Sequence, residues 1–442
     1  MTVNDTMGRE PQAAGGAAAP ASWRATTALC AVCMATLAGC AQAPHRAASH
    51  LDPAAMQRFE RVVRTDIERA RLPGATVLIW KGDGIVYEAA WGQRRPGESA
   101  PMTMDTIFRI YSMTKPIVSV AVLMLVEEGR VQLDDPVSQH LPEFGQLQLA
   151  VEKKDPAGQP MLERVPNPRP PTVHDLLRHT AGLTYGVFGK SLLKTEYLQA
   201  GVEGARLSNT DFSRRLATLP LAYVPGTTWE YSRATDVLGA LIERVTGQTL
   251  GQFLQQRIFT PLGMRDTGFH VPTEQLSRVA EAFSTDPDTG QPVRLLNVSR
   301  PPVFESGGGG LVSTAHDYLR FARMLLNRGE LDGVRLLSPK TVDWMTSDHL
   351  GSDVIRASRI PGATTGYLPG PGYGFGLGVA VRLVTGEAPL PGTPGDYHWG
   401  GLGGTFFWVD PKERLIAIWM MQAPGQRDHY RSLFKQMVYA AF

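Results

Sequence analysis

The chain has 442 residues, 43% of them hydrophobic, enough to bury a sizeable core in two lobes or in one large domain with insertions. Its 44 Lys and Arg nearly balance 42 Asp and Glu, for a formal charge of +2, and no long basic block occurs, which argues against nucleic acid as a partner. No unbroken apolar stretch reaches the roughly eighteen residues of a helical membrane span.

The N-terminus differs in kind from the rest. Residues 1–24 are small and polar with Arg9 and Arg24 as positive flanks, Ala25 to Ala38 are apolar, and the segment ends Leu37-Ala38-Gly39-Cys40. A charged region, a short apolar core and small terminal residues describe a secretory signal rather than a fold element. Leu-Ala-Gly-Cys resembles the bacterial lipobox, which implies a leader over 1–39, lipidation of the Cys40 thiol and a tether over 40–51. Ala41 in place of Asp then implies an exported, membrane-anchored protein sorted to the outer membrane and facing the periplasm. The leader is long, so Met7 is an alternative start. Cys30, Cys33 and Cys40 are the chain's three cysteines. Cys30 and Cys33 have redox-motif spacing but fall inside the leader's apolar core, so the mature chain is expected to have neither disulfides nor a cysteine metal site.

From Pro53 to Ala70 the apolar Met56, Phe59, Val62, Val63 and Ile67 recur at helical spacing. Two β-rich runs, Gly74 to Trp80 and Ile85 to Glu88, flank Lys81-Gly82-Asp83-Gly84 and predict a hairpin. Ser112-Met113-Thr114-Lys115-Pro116 opens a run, Ile117 to Val126, apolar on nearly every side, predicting a buried helix closed at Gly129. Val151 to Pro171 is charged, proline-rich and expected to be exposed. A short helix is predicted from Val173, broken at His179-Thr180-Ala181-Gly182-Leu183, then helices over Ala234 to Val245 and Ala315 to Asn327, the latter capped by Ser313 or Thr314. Strands follow at Tyr373 to Leu383, Asp396 to Val409 and Arg414 to Met421, the last two joined by Asp410-Pro411-Lys412-Glu413. A terminal helix carries Leu433, Met437 and Val438 on one face. Strands at both ends with helices between predict one antiparallel sheet built from both termini, flanked by helices, with a helical lobe inserted.

Three groups of residues carry chemistry. Ser112 and Lys115 share a face of a helix, and a serine hydroxyl needs a nearby base, which an amine held out of water can supply. Ser191 and Lys194 have the same spacing, but lie among Gly186, Gly189 and Gly201 and read as loop. Next, Pro225-Gly226-Thr227-Thr228-Trp229-Glu230-Tyr231-Ser232 is a turn before a helix that could fix the direction of a phenol; a phenol acts as a base only beside a cation, and Lys115 is the candidate. Finally, the glycines of His398-Trp399-Gly400-Gly401-Leu402-Gly403-Gly404 weaken a strand unless backbone or ligand must come close, and an edge strand of this kind could lend an amide to an oxyanion. Gly307 to Gly310 lacks the Lys-Ser/Thr of a phosphate loop and reads as a site of tight backbone packing. His174, His179 and His349 have no metal-ligand spacing, and no Gly-x-Ser-x-Gly elbow occurs.

Ser112-x-x-Lys115, Tyr231-Ser232-Arg233 and His398-Trp399-Gly400-Gly401 resemble, in order and spacing, the three motifs of the serine β-lactamase and DD-peptidase superfamily. Leu133-Asp134-Asp135-Pro136-Val137, Pro261-Leu262-Gly263-Met264 and Gly308-Gly309-Gly310-Leu311 look like it as well. The resemblance covers residues 52–440. It implies a β-lactamase/transpeptidase-like α/β (α+β) fold, with an α/β part at about 52–115 and 300–442 and a helical part at about 116–299. It also implies Ser112 as nucleophile, Lys115 and Tyr231 as general bases, and neither metal nor cofactor.

Two departures bear on the substrate. Class C β-lactamases have Tyr-x-Asn, where this chain has Arg233, and Lys-Thr-Gly, where it has His398 or Trp399 according to register. The His398 register resembles some DD-peptidases, the Trp399-Gly400-Gly401 register the family VIII carboxylesterases. The oxyanion donors would be the amide of Ser112 with that of Gly401 or Leu402, and Arg233, His398, Trp399 and Gly400 would line the pocket. Without a cation in the third motif, an anionic substrate loses a charge-assisted hydrogen bond of about 1.5–3 kcal/mol, whereas a neutral ester loses nothing. The expected function is hydrolysis of small, largely uncharged esters. The alternatives are a DD-peptidase, D-amino-acid amidase or β-lactamase acting in the cell envelope, with a cell-wall-type substrate as the alternative to a small ester, and a non-catalytic envelope lipoprotein.

Overall fold

The computed structural model describes residues 51–202, 206–356 and 369–442; the expected leader, Cys40 and all of the tether but Leu51 lie outside the described residues. Five helices matter for the site: α1 (Pro53–Glu68), α2 (Thr114–Glu127), α3 (Ala234–Thr246), α4 (Ala315–Leu326) and α5 (Arg427–Tyr439). The main sheet has seven strands, β1 (Gly74–Lys81), β2 (Gly84–Gly92), β3 (Tyr373–Phe375), β4 (Ala380–Arg382), β5 (Tyr397–Gly400), β6 (Phe406–Asp410) and β7 (Leu415–Met421), in spatial order β3-β4-β5-β6-β7-β1-β2. Every neighbouring pair is antiparallel, and the last strand closes on the first with Ala75 opposite Met421 and Lys81 opposite Leu415.

The two-residue period of β7 shows how the sheet is covered. Ile416, Ile418 and Met420 face the large core shared with α2, α3 and α4, while Leu415, Ala417, Trp419 and Met421 face the core under α1 and α5. A strand buried on both faces reads as an unbroken apolar run, as this one does. α1 starts at a capping Asp52, whose carboxylate accepts from the Ala54 amide at 2.9 Å, and wedges Phe59 between Trp91, Trp419 and Phe434. On the opposite face Tyr318 of α4 packs on Phe407 and donates to the Met113 carbonyl at 3.0 Å, so the sheet's helix layer holds the turn that carries Ser112. Among the described residues no helix is long and apolar enough to cross a membrane.

Where the structure departs from the sequence pattern, short-range geometry overrides it. Tyr373 to Leu383 is two strands folded at Gly378 (φ 97°), and Asp396 to Val409 is two strands separated by the Gly401–Thr405 turn. β5 is therefore interior rather than an edge, but β4 pairs with it only at Tyr397 and His398, which leaves its glycine end open on that side. Val151 to Pro171 overlaps a largely solvent-facing hairpin, Gln148–Lys154 with Pro160–Pro166. Ser191 is the N-cap of a helix, Leu192–Gln199, not loop. The buried face of α5 is Tyr430, Phe434, Lys435 and Val438; Leu433 and Met437 are only partly covered.

Lys435 is buried because Asp396 is. The fully buried Asp396 carboxylate accepts from Arg382 Nε at 3.0 Å and from Lys435 Nζ at 3.1 Å, with Tyr373 donating to it at 3.4 Å, which ties β3, β4 and β5 to α5. Asp396→Asn strands two buried cations without a counter-charge, and should lower unfolding free energy in urea by about 3–5 kcal/mol; an unchanged midpoint would show the network to be dispensable.

Candidate active site

Ser112 lies in a single 3-10 turn, Tyr111–Met113, that runs straight into α2. The preceding Tyr111 has φ 44°, a conformation that a bulky L-residue adopts only when its surroundings impose it. Two glycine segments impose it here. A Cβ on Gly401 would sit 2.3 Å from the Ile110 carbonyl oxygen and one on Gly403 2.9 Å from the Tyr111 ring, while Gly309 lies against the Tyr111 backbone at ordinary contact distance. The glycine runs at 307–310 and 400–404 thus clamp the serine turn from two sides.

Lys115, in the first turn of α2, is completely buried. Its Nζ lies 3.5 Å from Ser112 Oγ, 3.2 Å from Tyr185 Oη and 2.6 Å from the Gly308 carbonyl oxygen. Tyr231, between a short strand (Thr228–Trp229) and α3, donates its hydroxyl to Ser112 Oγ at 2.7 Å, and its ring face lies 4.6 Å from Lys115 Nζ. The tyrosine segment is tied down where the Glu230 amide donates to the His179 carbonyl at 3.0 Å, and the buried His179 ring packs 5.1 Å from that of Tyr231. Burial, aided by Lys115, holds His179 well below the usual imidazole range, so it is neutral at pH 7 and acts as a packing surface.

Sequence reasoning placed Arg233 in the pocket, and the structure does not. Its guanidinium is turned to the buried Asp236 carboxylate at 3.2 Å and lies 4.8 Å over the Tyr185 ring. Asp236, with no exposed surface, needs that counter-charge; it also accepts from the Gly308 amide at 2.9 Å, fixing the loop whose carbonyl binds Lys115. Ser191 and Lys194 stand apart from this cluster. The Ser191 hydroxyl caps its helix by accepting from the Lys194 amide at 3.1 Å, and Lys194 Nζ pairs with Glu230 at 3.2 Å.

Ser112 and Tyr231 open into a cavity of about 390 Å³ whose walls include Phe188, Leu390, His398, Trp399, Phe406 and Leu402. His398, Trp399 and Gly400 therefore line it as expected. Trp399 packs 5.4 Å from Tyr231, while His398 faces Tyr373 at 4.8 Å on the other side of the strand. Burial and the nearby Lys435, Arg431 and Arg382 push His398 well below its usual range, so it brings no charge. The Gly401 amide donates to the Thr405 carbonyl at 2.8 Å and closes the turn, so it is not available to a ligand. Three cations from α5 reach the cavity, a long way in sequence from any motif, and each has protein partners: Arg427 at the Pro424 carbonyl, Arg431 at that of Gly401, Lys435 at Asp396. Tyr185 and Arg431 carry no motif of their own, although Tyr185 stands two residues beyond the His179 to Leu183 segment; the Gly308 carbonyl belongs to the glycine run that the sequence marks for tight backbone packing. Among the described residues no group of three or more His, Cys, Asp or Glu is placed to hold a metal ion.

A half-buried serine hydroxyl held between an amine and a phenol, at the mouth of a largely apolar cavity, defines a serine hydrolase site. Residues 59–440 match the family described as Beta-lactamase, and the chain belongs to that family. A protein of Mycobacterium tuberculosis, Rv1367c, is 36% identical over 365 residues, covering 81% of this chain and 88% of its own length. Esterase EstB of Burkholderia gladioli is 34% identical over 402 residues, covering 82% and 91%. Among solved structures, EstCE1, a hydrolase with promiscuous acyltransferase activity, superposes with a TM-score of 0.72 at 27% identity, over 87% of this chain and 98% of that one. The β-lactamase/transpeptidase-like fold expected from the motifs is the one observed, and the chain is an enzyme of the serine hydrolase class.

Away from the cleft, His349 Nε2 donates to the Trp344 carbonyl at 2.8 Å, so its Nδ1 accepts from His174 Nε2 at 2.9 Å. Desolvation is the leading cause that lowers both, His174 from 6.5 to about 4. The unfolded chain therefore binds these protons first. The pair's contribution to stability is complete above pH 6.5 and is lost as pH falls from there towards 4. Urea midpoints measured across that window should fall with pH, and His174→Gln should flatten the fall; an identical slope in the variant would remove the pair as its source.

Proposed function

We propose that the chain hydrolyses small, largely uncharged esters through an acyl-enzyme on Ser112. The observation that carries this is the Ser112 hydroxyl, 2.7 Å from Tyr231 Oη and backed by Lys115, facing a cavity lined by Phe188, Leu390, Trp399 and Leu402. Attack by Oγ on the ester carbonyl forms the new C–O bond and sends the π pair to oxygen, while the hydroxyl proton passes to the Tyr231–Lys115 pair. Collapse expels the alcohol, which leaves with that proton, and water repeats the sequence to release the acid. With the Gly401 amide committed to Thr405, the geometry supports the Trp399-Gly400-Gly401 register, in which the Ser112 and Leu402 amides receive the oxyanion. The relatives named as an esterase and as a hydrolase with acyltransferase activity support a small-molecule ester as acyl donor. A second reading, transfer of the acyl group to an alcohol, is favoured by the latter.

Ser112→Ala should abolish turnover of a short-chain chromogenic ester with the fold intact by circular dichroism. Ser191→Ala should keep turnover and lose about 1 kcal/mol of stability as a missing N-cap. Turnover surviving in the first variant would end the assignment. The same preparation, offered a chromogenic cephalosporin, a D-Ala-D-Ala peptide and an ester with and without added alcohol, should prefer the ester; faster cephalosporin or peptide cleavage would move the reading to a β-lactamase or DD-peptidase.

For location, the reading from the leader stands as a proposal: Cys40 carries lipid and holds the enzyme at the outer membrane. Cys40→Ala should shift the protein from the membrane to the soluble fraction of lysed cells, and a native chain already soluble would count against the anchor.

A further inference from the structure

Resting on the acyl-enzyme reading, a second feature of the cavity acquires a role: an arginine that reaches the end of β5 from the opposite face of the sheet. The Arg431 side chain of α5 is 15% exposed and lies flat on Gly400, where a Cβ would meet its Cζ at 2.6 Å and its Nη2 at 2.7 Å. A side chain at that position would push the guanidinium out of this place. Its Nη2 donates to the Gly401 carbonyl and, at 3.5 Å, to that of Thr405, while Asp428 lies 3.7 Å from Nη1. The Gly401 carbonyl also accepts from the Gly404 amide at 3.1 Å.

The carbonyl and the amide of a trans peptide unit point in opposite directions. With the Gly401 C=O drawn towards the Arg431 guanidinium, the N–H of the same unit, which belongs to Leu402, is directed away from that guanidinium. Gly401, Leu402 and Ser112 all line the cavity. A charged donor on the carbonyl oxygen pulls electron density through the conjugated unit and makes the N–H a stronger donor, as hydrogen bonds in series polarise one another. An arginine stays charged over the whole working pH range and its planar fork is rigid.

We propose that Arg431 is a positioning residue for acyl transfer: it orients and polarises the Gly401–Leu402 peptide, so that the Leu402 amide is held ready for the oxyanion that forms at Ser112. Its effect on the oxyanion runs through that peptide, because its Nη2 is taken up by the Gly401 and Thr405 carbonyls.

The test compares wild type, Arg431→Lys and Arg431→Gln on a chromogenic ester, with isotope-edited infrared spectra of the acyl-enzyme formed from a ¹³C-carbonyl ester. Removing an oxyanion donor costs about 10²–10³ in kcat, and weakening one should cost less. Arg431→Gln is expected to lose about tenfold in kcat with KM changed less than twofold, and its acyl carbonyl band should move to higher frequency. Arg431→Lys should fall between, and carries the test alone if the glutamine variant does not fold. A lower melting temperature with kcat and carbonyl band unchanged would mean that Arg431 only holds the helix, and would overturn the proposal. If wild type turns over ester and shows the band while the variants match it, this inference alone fails; if wild type shows neither, it falls with the acyl-enzyme reading.

Discussion

The site is organised around one buried amine. Lys115 has no access to water, so its Nζ must find hydrogen-bond partners inside the protein or cost several kcal/mol. The three oxygens it finds come from separate parts of the chain: Ser112 one turn before it, Tyr185 beyond the His179 loop, and the Gly308 carbonyl before α4. Meeting that single demand places the helical region, the serine turn and the glycine loop in register. Tyr231 then closes the ring by offering its face to the amine and its hydroxyl to the serine.

The neighbours of the amine are themselves held by buried charge. Arg233 satisfies Asp236, Asp236 holds the Gly308 amide, and the same residue's carbonyl meets Lys115. An arginine at that point of the second motif thus serves the scaffold rather than the pocket. A parallel arrangement lies beneath the sheet, where Asp396 gathers Arg382 and Lys435 under the strands that carry Trp399. In both places a carboxylate with no solvent fixes backbone that the site needs.

Much of this was legible in the sequence, because the strongest signals are local. The apolar run after Lys115, the unbroken apolar strand Leu415–Met421 and the Pro-Gly turn before Tyr231 each report a periodicity or a backbone constraint that tertiary structure respects. The glycines at 401–404 were read as strand because the flanking residues are apolar; that they form a turn depends on the Gly401 amide finding Thr405, which no periodicity reveals. Ser191 and Ser112 share a spacing, and only the partners of Lys194 and Lys115 tell a helix cap from a reactive cluster. Arg431 was invisible for a simpler reason: its partner Gly401 is thirty positions earlier, across the sheet.

The pairing of β1 with β7 has a consequence for biogenesis. One edge of β1 pairs at once with β2, but its other edge finds a partner only in β7, the last of the strands, and Trp399 and Leu402 also arrive late. During synthesis the N-terminal half must wait with an open β1 edge and an unfinished serine turn until the C-terminus emerges, a long-range closure of the kind that folds slowly. Such an order keeps the nascent enzyme inert and pliable for as long as its end is still in the ribosome.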